Sequence, residues 1–246
     1  MRMGKILSKS TITVGMVAVL ALAVAVPAHG GTINKSVNIS AGSESSGASS
    51  VNGRISVGAG AVITGDLDTV NGLIRVDSDV SVRDVSTVNG ALRIDSGVTV
   101  DNLSTVNGSI DVAENVTING KIEAVNGEIE IRKGSAVARD VSNVNGEIEL
   151  VASLVGGDLS TVSGDIDLRD GAEVKGDIIV EKPGGWGWSN KKSRIPEVVI
   201  GPDSRVHGNI RLEREVKLYI SETAEVGGVI GEMSMNDAVR FSGNRP

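Results

Sequence analysis

The chain has 246 residues, of which 40% are hydrophobic but only 2% aromatic, and it carries 32 glycines, no cysteine and a formal charge of −7. So few aromatic residues are untypical of a globular enzyme of this size and favour a narrow interior filled by Val, Ile, Leu and Ala. The composition excludes disulfides, cysteine lipidation, thiolate nucleophiles and cysteine-ligated metals, and the acidity argues against binding nucleic acid through general electrostatics.

Residues 1–28 have the pattern of a Sec-type signal peptide. The cations Arg2, Lys5 and Lys9 precede an apolar run over 12–26, and small residues then form a cleavage site. Because the run is short for a membrane span, we expect cleavage after residue 28 and no membrane-spanning segment in the mature chain. The prediction is therefore a periplasmic, secreted or cell-surface protein.

Residues 29–50 are rich in Ser and Gly. Val37 and Ile39 alternate with polar residues as in a strand, whereas 41–50 has the composition of a flexible loop. The end of a parallel sheet exposes unpaired backbone groups and needs cover. We therefore predict an N-terminal cap followed by a flexible segment.

Residues 51–181 form a repeat with a period of 18 or 19 residues, the mark of a repeat architecture. Each unit begins with Val-Asn-Gly, or once with Val-Ser-Gly, and apolar residues then alternate with single polar ones. Such alternation predicts strands, and no helical i, i+3, i+4, i+7 stripe is present. The apolar set of one unit is Val70, Ile74, Val76, Val80, Val82 and Val85.

Three short strands per unit cannot form a hairpin sheet at this period. The predicted fold is all-β, a single-stranded parallel β-helix with a triangular cross-section and about seven to nine turns. In such a solenoid, equivalent residues of successive units stack in columns about 4.8 Å apart. Every repeated residue type therefore needs an explanation from its place in the turn.

The Asn of the motif forms one column, and a Gly column follows it. A corner of the solenoid explains both, since Gly supplies positive φ and Asn amides satisfy turn backbone or one another. Thr residues that recur just before the motif are explained by strand propensity. The Asn ladder consists of Asn52, Asn71, Asn89, Asn107, Asn126 and Asn145.

Outward positions of the first strand change sign along the repeat. Arg54, Arg75 and Arg93 come first, and an acidic stripe follows. Two interpretations stay open: a solvated surface, or a face for weakly bound divalent cations or a polymer, whose charges would separate the carboxylates. The acidic stripe consists of Asp111, Glu128, Glu130, Glu147, Glu149, Asp165 and Asp167.

Residues 182–197 interrupt the repeat and contain both tryptophans. The segment is predicted to be a loop insertion. Its aromatic residues either fold against the solenoid or form an exposed tip that contacts a glycan, a membrane surface or a protein. The candidate binding residues of this loop are Trp186, Trp188, Lys191, Lys192 and Arg194.

Residues 198–231 resume the solenoid with a different pattern, and 232–246 are predicted to be a cap or tail. The string V-x-I-G-P-D-S-x-V-x-G-x-I from Val198, followed by A-E-V-G-G-V-I-G from Ala224, resembles the bactofilin family of polymer-forming bacterial cytoskeletal proteins. The S/T-V-N-G-x-I-x-V repeats are similar to adhesin β-solenoids of bacterial surface proteins. These resemblances imply a right-handed β-helix and end-to-end polymerisation.

Residues that suggest catalysis are scarce. The pattern around His207 is similar to hexapeptide acyltransferases, but the run is short, and a surface His is the simpler interpretation. Polysaccharide lyases and hydrolases need long loops to build a cleft, which tight turns do not supply except at 182–197. We therefore expect a non-enzymatic structural or adhesin-like solenoid without cofactor or metal, with a glycan- or protein-binding loop as the alternative and a polysaccharide-active enzyme as the third.

Overall fold

The computed structural model describes residues 34–183 and 194–246, so the predicted signal peptide lies outside the described residues. The described chain contains 27 β-strands and a 3-10 helix at Met235–Asp237. In chain order the strands are β1 (Val37–Ile39), β2 (Glu44–Ser45), β3 (Ala48–Ser50), β4 (Ile55–Val57), β5 (Val62–Ile63), β6 (Leu67–Asn71), β7 (Ile74–Val76), β8 (Ser81–Asn89), β9 (Leu92–Ile94), β10 (Thr99–Asn107), β11 (Ile110–Val112), β12 (Thr117–Ile118), β13 (Ile122–Asn126) and β14 (Ile129–Ile131). They continue with β15 (Ala136–Val137), β16 (Val141–Asn145), β17 (Glu147–Val151), β18 (Leu154–Val155), β19 (Leu159–Thr161), β20 (Asp165–Arg169), β21 (Glu173–Val174), β22 (Ile178–Val180), β23 (Glu197–Ile200), β24 (Arg205–Leu212), β25 (Lys217–Ser221), β26 (Glu225–Gly231) and β27 (Val239–Phe241).

The strands form two parallel sheets that wind through about 10 turns, which confirms the predicted all-β solenoid. The first sheet has 11 strands in the order β1-β4-β7-β9-β11-β14-β17-β20-β23-β25-β27, and these strands number turns 1 to 11 below. The second sheet has 16 strands and covers two faces. The long strands β8, β10, β24 and β26 run through both of these faces. β8, β10 and β24 therefore each pair with two short strands, as β10 does with β12 and β13.

Alternation along each short strand places the core. In β7, Ile74 and Val76 are fully buried while Arg75 between them is exposed. Ile74 lies beside Leu92 of the next turn, and the same relation repeats along the sheet. The buried residues form one continuous aliphatic cluster, in which each large side chain contributes roughly 1.5–3 kcal/mol.

The Val of the repeated motif lies outside this core, contrary to the predicted apolar set. Val70 and Val88 are half-buried on the outer surface, while Thr69 and Thr87 point inward at 1% and 0% exposure. The Thr87 hydroxyl donates to the Gly72 carbonyl at 3.3 Å. Strand propensity is therefore not the main reason for these threonines. Their hydroxyls donate hydrogen bonds to backbone carbonyl oxygens that the tight corner leaves in the interior.

The solenoid extends further at both ends than its sequence indicates. The segment 41–50, predicted as a flexible loop, contains β2 and β3, which pair with β5 and β6. At the other end, β27 pairs with β25 inside the predicted cap. Together these strands explain why about 10 turns are present rather than seven to nine.

Each turn of the solenoid has three corners, and two of them, the left-handed corner and the carboxylate corner, are stabilised in different ways. The left-handed corner follows each strand of the first sheet from β1 to β23 and contains one or two residues with positive φ. These residues are Gly42, Gly60, Asp79, Gly97, Asn115, Gly134, Ala152, Asp170, Gly171 and Asp203. Glycine, Asp and Asn adopt this conformation most readily, so the position tolerates several residue types.

The carboxylate corner joins the two faces of the second sheet. Side-chain oxygens of Asp140, Asp158 and Asp177 each accept the backbone N–H of the residue one turn later, at 2.9, 2.8 and 2.8 Å. Asn102 accepts in the same way from the N–H of Lys121 at 3.0 Å. The sequence interpretation missed this ladder, although an Asp or Asn spaced by about one turn was its signal.

Candidate functional surface on the first sheet

The outward side chains of the first sheet form the largest charged surface that the sequence singled out, here called the charged face. They stack in three columns because the strands pair in register. The middle column contains Ser56, Arg75, Arg93, Asp111, Glu130, Glu149 and Asp167. The two columns beside it contain Arg54, Glu128, Glu147 and Asp165 on one side, and Asp77, Asp95, Arg132 and Arg169 on the other. Turns 2 to 4, here called the basic end, thus carry three arginines and two aspartates, and turns 5 to 8, the acidic end, carry seven carboxylates and two arginines.

Arginines lie among the carboxylates of the acidic end. Arg132 forms two bonds to Glu130, at 2.7 and 2.8 Å. Arg169 contacts both Glu149 and Asp167 at 2.5 Å. Like charges would otherwise repel at this spacing. The chain itself therefore supplies much of the counter-charge that one of the two sequence interpretations expected from a cation or polymer. The sequence signal was an Arg two residues after an acidic residue, on the same side of the strand.

Two carboxylates of the stripe keep an excess of negative charge. Glu128 and Glu147 form no ion pair with any residue in 34–183 or 194–246. Burial, followed by the neighbouring Glu149, Asp167, Glu128 and Asp165 carboxylates, raises the pKa of Glu147. The acidic end therefore retains a field that favours an approaching cation.

The arginine side chains of the basic end are more exposed to solvent than those of the acidic end. Arg75 bonds to Asp77 at 2.8 Å and lies 3.7 Å from Asp95, while Arg93 lies 3.7 Å from Asp111. Half or more of the surface of both arginine side chains is exposed. They line a shallow depression of about 370 Å³.

The Asn ladder is confirmed as a feature of the third corner, here called the Asn–Gly corner. Each amide nitrogen donates to the amide oxygen one turn earlier, for example Asn107 to Asn89 at 2.8 Å and Asn126 to Asn107 at 3.0 Å. The ladder begins one turn earlier than predicted, because Asn52 donates to Asn34 at 2.8 Å. Its role in stacking accounts for the repeated Asn.

Glycine is needed at this corner for space at every turn, and the predicted positive φ occurs at only some of the turns. Gly108 and Gly146 have φ of +157° and +121°, whereas Gly72, Gly90 and Gly127 have no positive φ. A Cβ at each of these positions would overlap the carbonyl oxygen of the glycine one turn earlier. Neighbouring turns approach so closely here that no side chain fits between them.

The loop predicted over 182–197 is described in part. Trp186, Trp188, Lys191 and Lys192 lie outside the described residues. Arg194 is described, and its guanidinium contacts Asp165 at 2.5 Å. Arg214 donates to the carbonyl oxygens of Arg194 and Val162, both at 3.0 Å. The returning arm of the loop is therefore fixed to the solenoid.

His207 lies on β24 with an exposed side chain, which places it on the surface but in a strand. Its Nε2 lies 2.5 Å from Glu173 and 3.4 Å from the Lys175 ammonium. Hydrogen bonds from Lys175 and then His207 lower the pKa of Glu173. This exposed cluster is a surface ion-pair network of a kind that contributes little to stability.

No group of three or more His, Asp or Glu side chains within 34–183 and 194–246 has an arrangement suited to a metal ion. No helix in the same ranges has the length and hydropathy of a membrane span. No protein-family profile, curated protein or solved structure matched the chain.

Proposed function

We propose that the protein is an exported, non-enzymatic structural rod of the bacterial envelope, with an adhesin-like role. The observation that carries this proposal is the register of the outer side chains. Because every turn lies on the next without a shift over β4 to β20, outward residues form straight columns along the rod. Flat periodic faces suit contact with an extended partner, whereas a reaction needs a concave site that buries its substrate.

End-to-end self-association, implied by the resemblance to bactofilins, belongs to the same proposal. Within the described chain, β1 pairs with β4 alone and β27 with β25 alone. The outer edges of these strands have backbone groups available for another strand. The edges support assembly into a longer rod but do not by themselves specify its partner.

Localisation and processing test the export part of the proposal. A chain with a C-terminal tag is expressed in a Gram-negative host, and periplasm, medium and cytoplasm are analysed by mass spectrometry. We expect a chain cleaved after Ala28 outside the cytoplasm. The control lacks residues 12–26 and should stay inside. An uncleaved cytoplasmic chain with the intact N-terminus would contradict the proposal.

Size-exclusion chromatography with light scattering at several salt concentrations tests the structural part. A rod that joins end to end should give a concentration-dependent series of masses and filaments in electron micrographs. Truncation of 232–246 should alter this series, because it exposes the edge of β25. A monomer at every concentration and salt would contradict end-to-end assembly.

A second candidate function is binding through the loop over 182–197. The fixed position of its returning arm, where Arg194 and Arg214 hold the chain against turns 7 to 9, favours it. Substitution of Trp186 and Trp188 by Ala should then abolish capture of a glycan or envelope protein while the mass of the chain in solution is unchanged. Val62→Ala, at an exposed apolar position on another face, is the matched control.

A further inference from the structure

We propose that two copies of this chain associate side by side and antiparallel through their charged faces. The occupant of the face is a second copy because the face carries both halves of an electrostatic match. Turns 2 to 4 supply three arginines beside two aspartates, and turns 5 to 8 supply seven carboxylates beside two arginines. This contact is lateral, so it is independent of the end-to-end assembly and of the export proposed above.

Symmetry decides the direction of the second rod. Homodimers most often form about a two-fold axis. If the axis ran along the rod, each turn would face the same turn of the other copy, and Arg75 would meet Arg75. If the axis lies in the interface and follows the strand direction, the order of turns reverses while each column faces its own column. The charge gradient therefore selects the antiparallel arrangement.

A two-fold axis at turn 5 brings opposite charges together in all three columns, while Asp111 at the axis faces its own copy. Turn 4 then faces turn 6, turn 3 faces turn 7 and turn 2 faces turn 8. The facing pairs are Arg93 with Glu130, Arg75 with Glu149, Arg54 with Asp165 and Asp95 with Arg132, each occurring twice by symmetry. Cations of the second copy also approach Glu128 and Glu147, the two carboxylates of the acidic stripe that have no ion pair within the described chain.

The contact is expected to be weak. A strip of seven turns and three columns measures roughly 34 Å by 14 Å, roughly half the area per partner of a standard interface. Exposed ion pairs contribute little each and are screened by salt. The expected species is a dimer with a dissociation constant at least about tenfold higher in 0.5 M than in 20 mM salt.

Sedimentation equilibrium of the purified chain measures this dimer. Wild-type protein should dimerise at low salt, and Arg75→Glu with Arg93→Glu should lose the dimer. The control, Arg83→Glu with Arg139→Glu, changes the net charge equally at exposed positions away from the charged face. It should dimerise like the wild type. End-to-end association through the strand edges should be the same in all these proteins. Salt-dependent association that survives the first variant, or that is absent from wild-type protein at low salt, overturns the proposal.

A charge swap excludes misfolding as the cause of a lost dimer. Glu130→Arg with Glu149→Arg should also prevent homodimers, because cations then face cations. An equimolar mixture of the two double variants should form heterodimers, since both contact regions again carry opposite charges. A mixture that stays monomeric while both variants keep the β-sheet circular dichroism of the wild type overturns the arrangement.

Crosslinking tests the position of the axis in a chain that lacks native cysteine. Ser109 lies on the charged face at turn 5, so in the dimer it faces its own copy. Ser109→Cys should give a dimer with a short bis-maleimide at low salt and lose it at high salt. Thr117→Cys, exposed on another face of the same turn, is the control. Equal crosslinking of both variants, or of neither, contradicts the proposed axis.

Discussion

The Asn–Gly corner and the left-handed corner both contain a column of glycines, but for different physical reasons. At Gly90 the neighbouring turn occupies the space of a side chain, whereas at Gly60 the space is open and the backbone has a φ of +69°. Only the second requirement can be met by other residues. The left-handed corner accordingly contains Asp79 and Asn115 among its glycines, with φ of 59° and 58°.

This difference explains which corner was visible in the sequence. A steric requirement admits no substitute, so Val-Asn-Gly recurs almost unchanged. A conformational requirement admits several residue types at a cost of about 1–2 kcal/mol, so its column is irregular. The carboxylate corner lies between the two, since Asp and Asn side chains both offer an oxygen to the backbone.

The largest effect is expected when the steric requirement is violated. Gly90→Ala should lower the free energy of unfolding by about 3 kcal/mol or more, because the Cβ overlaps the backbone of the previous turn and the two turns must separate. Gly60→Ala, which strains only the dihedral angle, should lose about 1–2 kcal/mol. Urea unfolding of both variants measures the difference. Equal losses would remove the distinction between the two corners.

The carboxylate corner should respond to loss of its acceptor. Asp158→Ala leaves the half-buried N–H of Asp177 without its partner and should lower the free energy of unfolding by about 1–3 kcal/mol. Asp158→Asn keeps an oxygen at the same place and should lose much less. If the two variants unfold at the same urea concentration, this bond does not stabilise the corner.

The Asn ladder should show a smaller loss that depends on position. Asn107 donates to Asn89 and accepts from Asn126, whereas Asn145 donates to Asn126 at the end of the ladder. Exposed hydrogen bonds contribute about 0.5–1 kcal/mol each. Asn107→Ala should therefore lose roughly twice as much stability as Asn145→Ala in the same thermal or urea unfolding experiment. A larger loss at Asn145 would contradict a ladder of separate bonds.

The smallest effect is a gain at the left-handed corner. Ala152 has a φ of +45°, which glycine adopts without strain. Ala152→Gly should relieve about 1–2 kcal/mol of strain and lose part of this to the greater freedom of the unfolded chain. A rise in melting temperature equivalent to roughly 0.5 kcal/mol is expected. A decrease would show that the strain relieved at this corner is smaller than the entropy gained by the unfolded chain.

The sequence predicted the fold because its period, alternating apolar residues and repeated Asn all depend on contacts with the equivalent residue one turn away. It misplaced Val70, because alternation cannot tell an inward Thr from an inward Val when the buried hydroxyl has a carbonyl to bond. It missed the strands in 41–50, where small residues such as Ser49 and Ser50 fill the interior at 7% and 3% exposure. Buried serines give no apolar pattern to detect.

The charged face was predicted in part. The change of sign between Arg93 and Asp111 was visible, but the bonds of Arg132 and Arg169 to the stripe were not. Charge pairing along one strand depends on side chains at i and i+2, which alternation analysis treats only as polar. The Asn ladder was predicted almost completely, since an Asn at the same position of every turn has few explanations other than hydrogen bonding between turns.

The uniform contact between turns 2 and 7 has a consequence for how such a chain can evolve. When one 18- or 19-residue unit is duplicated or deleted there, the turns on either side of the new junction make the same contacts as before. These contacts are the Asn–Asn hydrogen bond, the close approach of a carbonyl group to a glycine, and the aliphatic layer. Length can therefore vary in steps of about 4.8 Å without inventing new packing. Selection can therefore change the length of the rod without changing any side chain.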